Sequence, residues 1–272
     1  MINDIKIFDA HFHYTGKFKK ENESLINFMD RYHIDKAIIT TLNKSANSKL
    51  LMNTNKTFNR KTYLNNLIPK KQHDHTEVIN LIKKYPERLY GFCWFSPNIA
   101  TDDDWALLRK YIADYDFKGV KIQTTLDNLD ISKDLDRLVD FCIEMDVPLY
   151  YHSGNNFFFQ KPIKIEDLYK LYLESQDLKL IIGHSAFTME YTISVLRYFQ
   201  GFDNVYFETS MSVPYGINVL IKVMGNDKII YGSDAPAATT PDIEIQKIKA
   251  LNLKPEIEKL IFYENISNLI GI

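Results

Sequence analysis

Apolar runs of five to nine residues recur along the chain, and stretches with apolar residues at three- and four-residue spacing separate most of them. The runs cover Ile5–His13, Lys36–Leu42, Leu89–Phe95, Gly119–Gln123, Pro148–His152, Lys179–His184, Asn204–Thr209 and Lys228–Asp234. Leu135–Met145 and Tyr191–Phe199 are two of the intervening segments with helical periodicity. Strands alternating with helices in this number predict an α/β protein, a (β/α)8 TIM barrel. No linker, low-complexity tract or repeat divides it, so residues 1–272 read as a single domain.

The first run carries the most chemistry. Side chains alternate along a strand, so Ile5, Ile7, Asp9, His11 and His13 are expected on one side and Phe8, Ala10 and Phe12 on the other. Two imidazoles one residue apart on a rigid strand can converge on a metal ion or simply hydrogen-bond to each other. The other strand ends decide between these readings. Active sites in this architecture lie at the carboxyl ends of the strands. His11 and His13 end the first run, His152 the fifth, His184 the sixth and Asp234 the eighth. Alternation also pairs Tyr150 with His152, Ile182 with His184 and Gly232 with Asp234 as barrel-facing sets. Together they predict a metal centre at one rim. Asp9, deeper on the same strand, is expected to orient a neighbour, and His73 and His75 are expected at the surface.

Composition narrows the function classes. Lys plus Arg number 33 against 35 for Asp plus Glu, a net charge of -2, which argues against nucleic-acid and membrane-surface partners. The two cysteines, Cys93 and Cys142, sit far apart in apolar contexts and read as buried small hydrophobes rather than a disulfide. The first strand begins almost at the N-terminus, and no apolar run is long enough to span a bilayer. A cytoplasmic enzyme is the expectation.

Asp9-x-His11-x-His13, Gly119-Val120-Lys121, Tyr151-His152-Ser153-Gly154, Ile182-Gly183-His184-Ser185 and Tyr231-Gly232-Ser233-Asp234-x-Pro236 resemble the amidohydrolase superfamily. The likeness is to its amidohydrolase-related branch, which includes aminocarboxymuconate semialdehyde decarboxylase, resorcylate decarboxylases and dicarboxylate lactonases. Tyr85-Pro86-Glu87-Arg88 and the terminal stretch from Tyr263 to Gly271 agree, so the resemblance covers nearly the whole chain. It implies a divalent metal bound by His11, His13, His152 and Asp234 with His184 beside it, and imidazole ligands make zinc the expected ion. By the same analogy the protein is a homodimer.

Within that centre Asp234 can both ligate and accept a proton from water, while His184 is a candidate acid or base, an oxyanion contact or an orienting group. Lys121 stays ambiguous. The resemblance implies two roles for it: with one metal ion, which is favoured, Lys121 binds a substrate carboxylate, and in the binuclear alternative a carboxylated Lys121 bridges two ions. From Asn43 to His73 the chain has no acidic residue but carries Lys44, Lys49, Lys56, Arg60, Lys61, Lys70 and Lys71. This basic insertion, at about 43–73 after the second strand, lies on the active-site face and is a candidate clamp for an anionic small molecule, through Arg60 among others. A solvated loop is the plainer reading. Asn155 and Phe157, after the fifth strand, are further substrate-binding candidates. The leading function is a metal-dependent hydrolase whose metal-activated water attacks an amide, ester or lactone of a small carboxylated substrate. The alternative is a non-oxidative decarboxylase of the same branch. A TatD-like nuclease and a non-catalytic binding scaffold are more remote.

Overall fold

The computed structural model describes residues 5–42, 69–153 and 164–272. Its strands are β1 (Phe8–His13), β2 (Lys36–Thr40), β3 (Leu89–Trp94), β4 (Phe117–Gln123), β5 (Leu149–His152), β6 (Leu180–Ile182), β7 (Val205–Glu208) and β8 (Ile229–Ile230). All eight pair in parallel, in sequence order. β8 is short, and the chain beyond it completes the cylinder against β1. The Ala10 amide donates to the Tyr231 carbonyl at 3.0 Å, the Asp234 amide to His11 at 2.7 Å and the His13 amide to Ala235 at 2.8 Å. The TIM barrel expected from the alternating pattern is the observed fold.

Two apolar layers hold it together. Phe8, Ala10, Ile38, Phe92, Tyr150, Ile181 and Ile230 fill the barrel interior, joined by Ile266, Leu269 and Ile270 of the last helix, Asn265–Ile270. The outer layer packs Ile39, Val120, Ile122, Leu149, Leu180 and Phe207 against helices such as Asp136–Glu144 and Met189–Phe199. Each large aliphatic or aromatic side chain so buried contributes about 1.5–3 kcal/mol. Helix starts are fixed locally: Thr101 and Asp104 form a reciprocal capping box for Asp102–Tyr115, and the Thr188 hydroxyl accepts from the Tyr191 amide. No helix among the described residues is long and apolar enough to cross a membrane.

Simple alternation fails in two strands. In β1 the register shifts between Asp9 and Phe12. Phe8 and Ala10 face the interior, while Ile7 and Phe12 pack in the outer layer. The irregularity breaks the predicted shared face of Ile7, Asp9, His11 and His13. Asp9 instead lies at the β1–β8 seam, where Oδ1 accepts from the amides of His11 (3.1 Å) and Ser233 (3.0 Å). Its expected orienting role survives; its expected face does not. Likewise Ile182 packs outward, not inward with His184. β6 and β8 stop before His184 and Asp234, which adopt left-handed backbone at φ 52° and 61°. Such a conformation costs a non-glycine residue about 1–2 kcal/mol, and here it occurs at two of the predicted site residues.

Candidate metal centre

His11 and His13 leave β1 with buried imidazoles, and the turn after β8 brings Asp234 against both. Asp234 Oδ1 lies 3.1 Å from His13 Nε2 and 3.5 Å from His11 Nε2. From the far side of the barrel, the His152 ring at the end of β5 meets His184 edge-on at 4.4 Å. The His11 ring centroid is 5.8 Å from that of His152 and 5.1 Å from that of His184. Candidate ligand atoms of His11, His13 and Asp234 lie within 4.8 Å of one another, and so do those of His11, His152 and His184. The five predicted residues therefore come together, with His11 common to both groups.

The arrangement fits a divalent ion. Donors about 2.0–2.2 Å from one ion stand roughly 3.0–3.5 Å apart when adjacent in its shell, and the Asp234 pairs have that spacing. His152 Nδ1 is buried with no hydrogen-bond partner among the described residues. Lys121, projecting inward from β4, brings its Nζ to 2.7 Å from His11 Nε2.

The electrostatics agree with the donor chemistry. Burial, reinforced by Lys121, pushes His11 down to about 3 and lowers His13 as well. His152 falls well below its usual value through burial and then the neighbouring His184. Each shift favours the neutral imidazole, the form that ligation requires. Burial alone would raise Asp234, but His11 and His13 outweigh it and hold the carboxyl ionised. Burial brings Lys121 down to about 8.

Three neighbours of these residues were given no place in the metal centre by the sequence. Glu208 points inward from β7 and is fully buried, while Phe207 packs in the outer layer. The Tyr150 hydroxyl, also interior, lies 2.8 Å from both His11 Nδ1 and Glu208 Oε2. Ser210 Oγ lies 2.9 Å from His184 Nδ1. The available signal was a glutamate ending the otherwise apolar run Val205–Phe207. Two glycines make room for this group. A Cβ on Gly183 would stand 2.2 Å from the Tyr150 hydroxyl, and one on Gly232 would stand 2.1 Å from Glu208 Oε1.

Two histidines expected at the surface are not there. His75 is 2% exposed, its Nε2 3.0 Å from the Trp94 carbonyl, because the helix it precedes packs on the outside of β3. The His73 ring lies over Trp94 at 4.4 Å and its Nε2 is 3.1 Å from the buried Asp127. Arg60, Asn155 and Phe157 lie outside the described residues, as do residues 43–68 of the basic insertion. Lys70 and Lys71, at its end, are exposed.

The amidohydrolase family model matches residues 8–272. The chain belongs to the amidohydrolase family. Solved structures of similar fold include 2,6-dihydroxybenzoate decarboxylase from Rhizobium, with TM-score 0.68 and 15% identity over 98% of this chain and 99% of that one. A second is 5-carboxyvanillate decarboxylase from Novosphingobium aromaticivorans, complexed with manganese and 4-hydroxy-3-methoxy-5-nitrobenzoic acid. Its TM-score is 0.69 at 16% identity, covering 99% of this amidohydrolase and 97% of that chain. Dihydroxybenzoic acid decarboxylase from Polaromonas, with bound manganese and the inhibitor 2-nitroresorcinol, gives 0.67 at 14% identity over 98% and 97%. At these identities the likeness establishes the barrel over its full length. No curated protein matches the chain.

Proposed function

We propose that this amidohydrolase is a divalent-metal-dependent, non-oxidative decarboxylase of a small anionic acid, aromatic or unsaturated. His11, His13, His152 and Asp234 hold the ion, and three imidazoles with one carboxylate favour zinc on ligand softness. Manganese, found in two of the structural neighbours, is the alternative that elemental analysis distinguishes. When bound, the ion supplies positive charge that polarises an oxygen of the substrate.

The observation that carries the reading is Lys121, a buried amine beside His11 Nε2 on the barrel axis side of β4. A buried ammonium needs an anion, and a substrate oxygen provides one. Decarboxylation exchanges a carboxylate for a proton: the ring carbon gains H+, the carbon–carbon bond breaks, its electron pair stays with the ring, and CO2 leaves. His184 and Asp234 are the groups placed to manage that proton. His184 Nδ1 lies 3.0 Å from the Ser210 carbonyl, which only accepts, so its own proton resides there and the other nitrogen is free to exchange one. Likeness to three decarboxylases of the same fold supports this reaction over others.

Hydrolysis of a carboxylated ester or lactone is the second reading. It is favoured by Asp234, whose carboxylate is held ionised and can take a proton from water. Product analysis separates the two. Metal-loaded protein given 2,6-dihydroxybenzoate, 5-carboxyvanillate and a carboxylated lactone in 18O-labelled water is expected to release CO2 from one of the acids. The product should then carry no 18O, and in D2O it should carry a carbon-bound deuteron. Label entering the product without CO2 release overturns decarboxylation.

A further inference from the structure

Glu208 lies outside the donor set, yet it touches groups leading to two of the site histidines. Its Oε1 accepts from the Ser210 amide at 2.5 Å and its Oε2 from the His184 amide at 3.1 Å. Backbone N–H groups only donate, so both carboxylate oxygens act as acceptors. Oε2 also takes the hydroxyls of Tyr150 and Ser210, each at 2.8 Å. A hydroxyl has one proton. Spent on Glu208, it leaves each hydroxyl oxygen able only to accept from its other partner.

Those other partners are imidazole nitrogens. The Tyr150 oxygen faces His11 Nδ1 at 2.8 Å, and the Ser210 oxygen faces both His184 Nδ1 at 2.9 Å and His11 Nδ1 at 3.2 Å. Each Nδ1 must then carry the ring proton. Two contacts that do not involve Glu208 give the same assignment. Lys121 Nζ, a donor, lies 2.7 Å from His11 Nε2, which requires a lone pair there. The Ser210 carbonyl lies 3.0 Å from His184 Nδ1, which requires a proton there.

We infer that Glu208 is a positioning residue that fixes His11 and His184 in one tautomer, proton on Nδ1 and lone pair on Nε2, acting through the Tyr150 and Ser210 hydroxyls. One carboxylate thereby sets both a proposed metal ligand and the proposed proton carrier. Glu208 itself needs no contact with substrate. Gly183 and Gly232 belong to the same device, since a side chain at either would displace Tyr150 or Glu208. The tautomers follow from the hydrogen bonds alone; their value for binding metal rests on the proposed function.

The test reads the tautomers directly. Long-range 1H–15N spectra of metal-free protein labelled at histidine nitrogen should show His11 and His184 protonated at Nδ1, each assigned by its loss in a His→Gln variant. Tyr150→Phe, which removes the nearer of the two oxygens facing His11 Nδ1, is expected to shift the His11 tautomer populations and leave His184 unchanged, whereas Glu208→Gln should disturb both. Binding of Mn2+ alone should weaken about 10–100-fold in each variant. A wild-type spectrum with either ring protonated at Nε2 overturns the inference, even if no variant folds. So does a Glu208→Gln spectrum in which neither ring changes. Correct tautomers with no binding of Mn2+ or Zn2+ would leave the inference standing and remove the proposed metal centre.

Discussion

Replacing His75 with glutamine should flatten the acid side of this protein's stability profile. His75 is buried against Trp94, Tyr111 and Phe117, with Nε2 3.0 Å from the Trp94 carbonyl and no partner for Nδ1 among the described residues. Burial is the chief cause that lowers its pKa from 6.5 to about 4, with the Trp94 hydrogen bond only partly opposing it. The unfolded chain therefore binds a proton near pH 6.5 that the folded chain refuses until about pH 4. Where the unfolded state binds more protons, stability rises with pH. His75 accordingly leaves the fold unpenalised above pH 6.5, and stability is lost as pH falls towards 4. At 1.36 kcal/mol per unit, the loss between pH 7 and pH 5 is about 2 kcal/mol. Urea unfolding of metal-free wild type and His75→Gln, measured at half-unit steps from pH 7 to pH 5, isolates this contribution from the other buried histidines. The variant should start less stable at pH 7 and lose about 2 kcal/mol less on acidification. Parallel profiles would refute the reasoning.

Lys121→Met should keep the barrel and its metal content but weaken binding of 2-nitroresorcinol to the metal-loaded protein about 10-fold or more. Loss of metal instead would favour a bridging role for Lys121. Gly183→Ala places a Cβ 2.2 Å from the Tyr150 hydroxyl and under 3 Å from its ring. Because Tyr150 is 1% exposed, relief should cost about 1–3 kcal/mol, visible as a lower Tm. Cys93 and Cys142 are buried, and burial raises both thiols. A chromogenic disulfide reagent should find neither in the native protein and both in guanidinium; rapid native reaction of either would contradict the packing.

The barrel was legible because its strands alternate with helices along the whole chain, a pattern set by short apolar runs that tertiary context did not override. The histidines and Asp234 were legible for a related reason: each was read as ending a run, and the carboxyl ends of barrel strands share one rim. Facing was harder. Alternation put Asp9 with His11 and His13, and Ile182 with His184, but a register shift in β1 and a left-handed residue after β6 broke the period. Local irregularities of this kind leave no trace in a two-residue period. His75 was misjudged because it precedes its helix in a polar stretch, whereas the packing of that helix against β3 buries it. The contacts of Tyr150 with His11 and Glu208 were not legible because the partners lie 139 and 58 residues away in the chain.

The proposed centre joins side chains from separate strand ends around one divalent ion. The direct measurement is the metal content of purified protein by elemental analysis, set beside Asp234→Asn and His13→Ala with their folds checked by circular dichroism. About one zinc or manganese per wild-type chain is expected, with near-complete loss in both variants while the barrel persists. Wild-type protein that stays metal-free after incubation with either ion, or variants that retain the full complement, would contradict it.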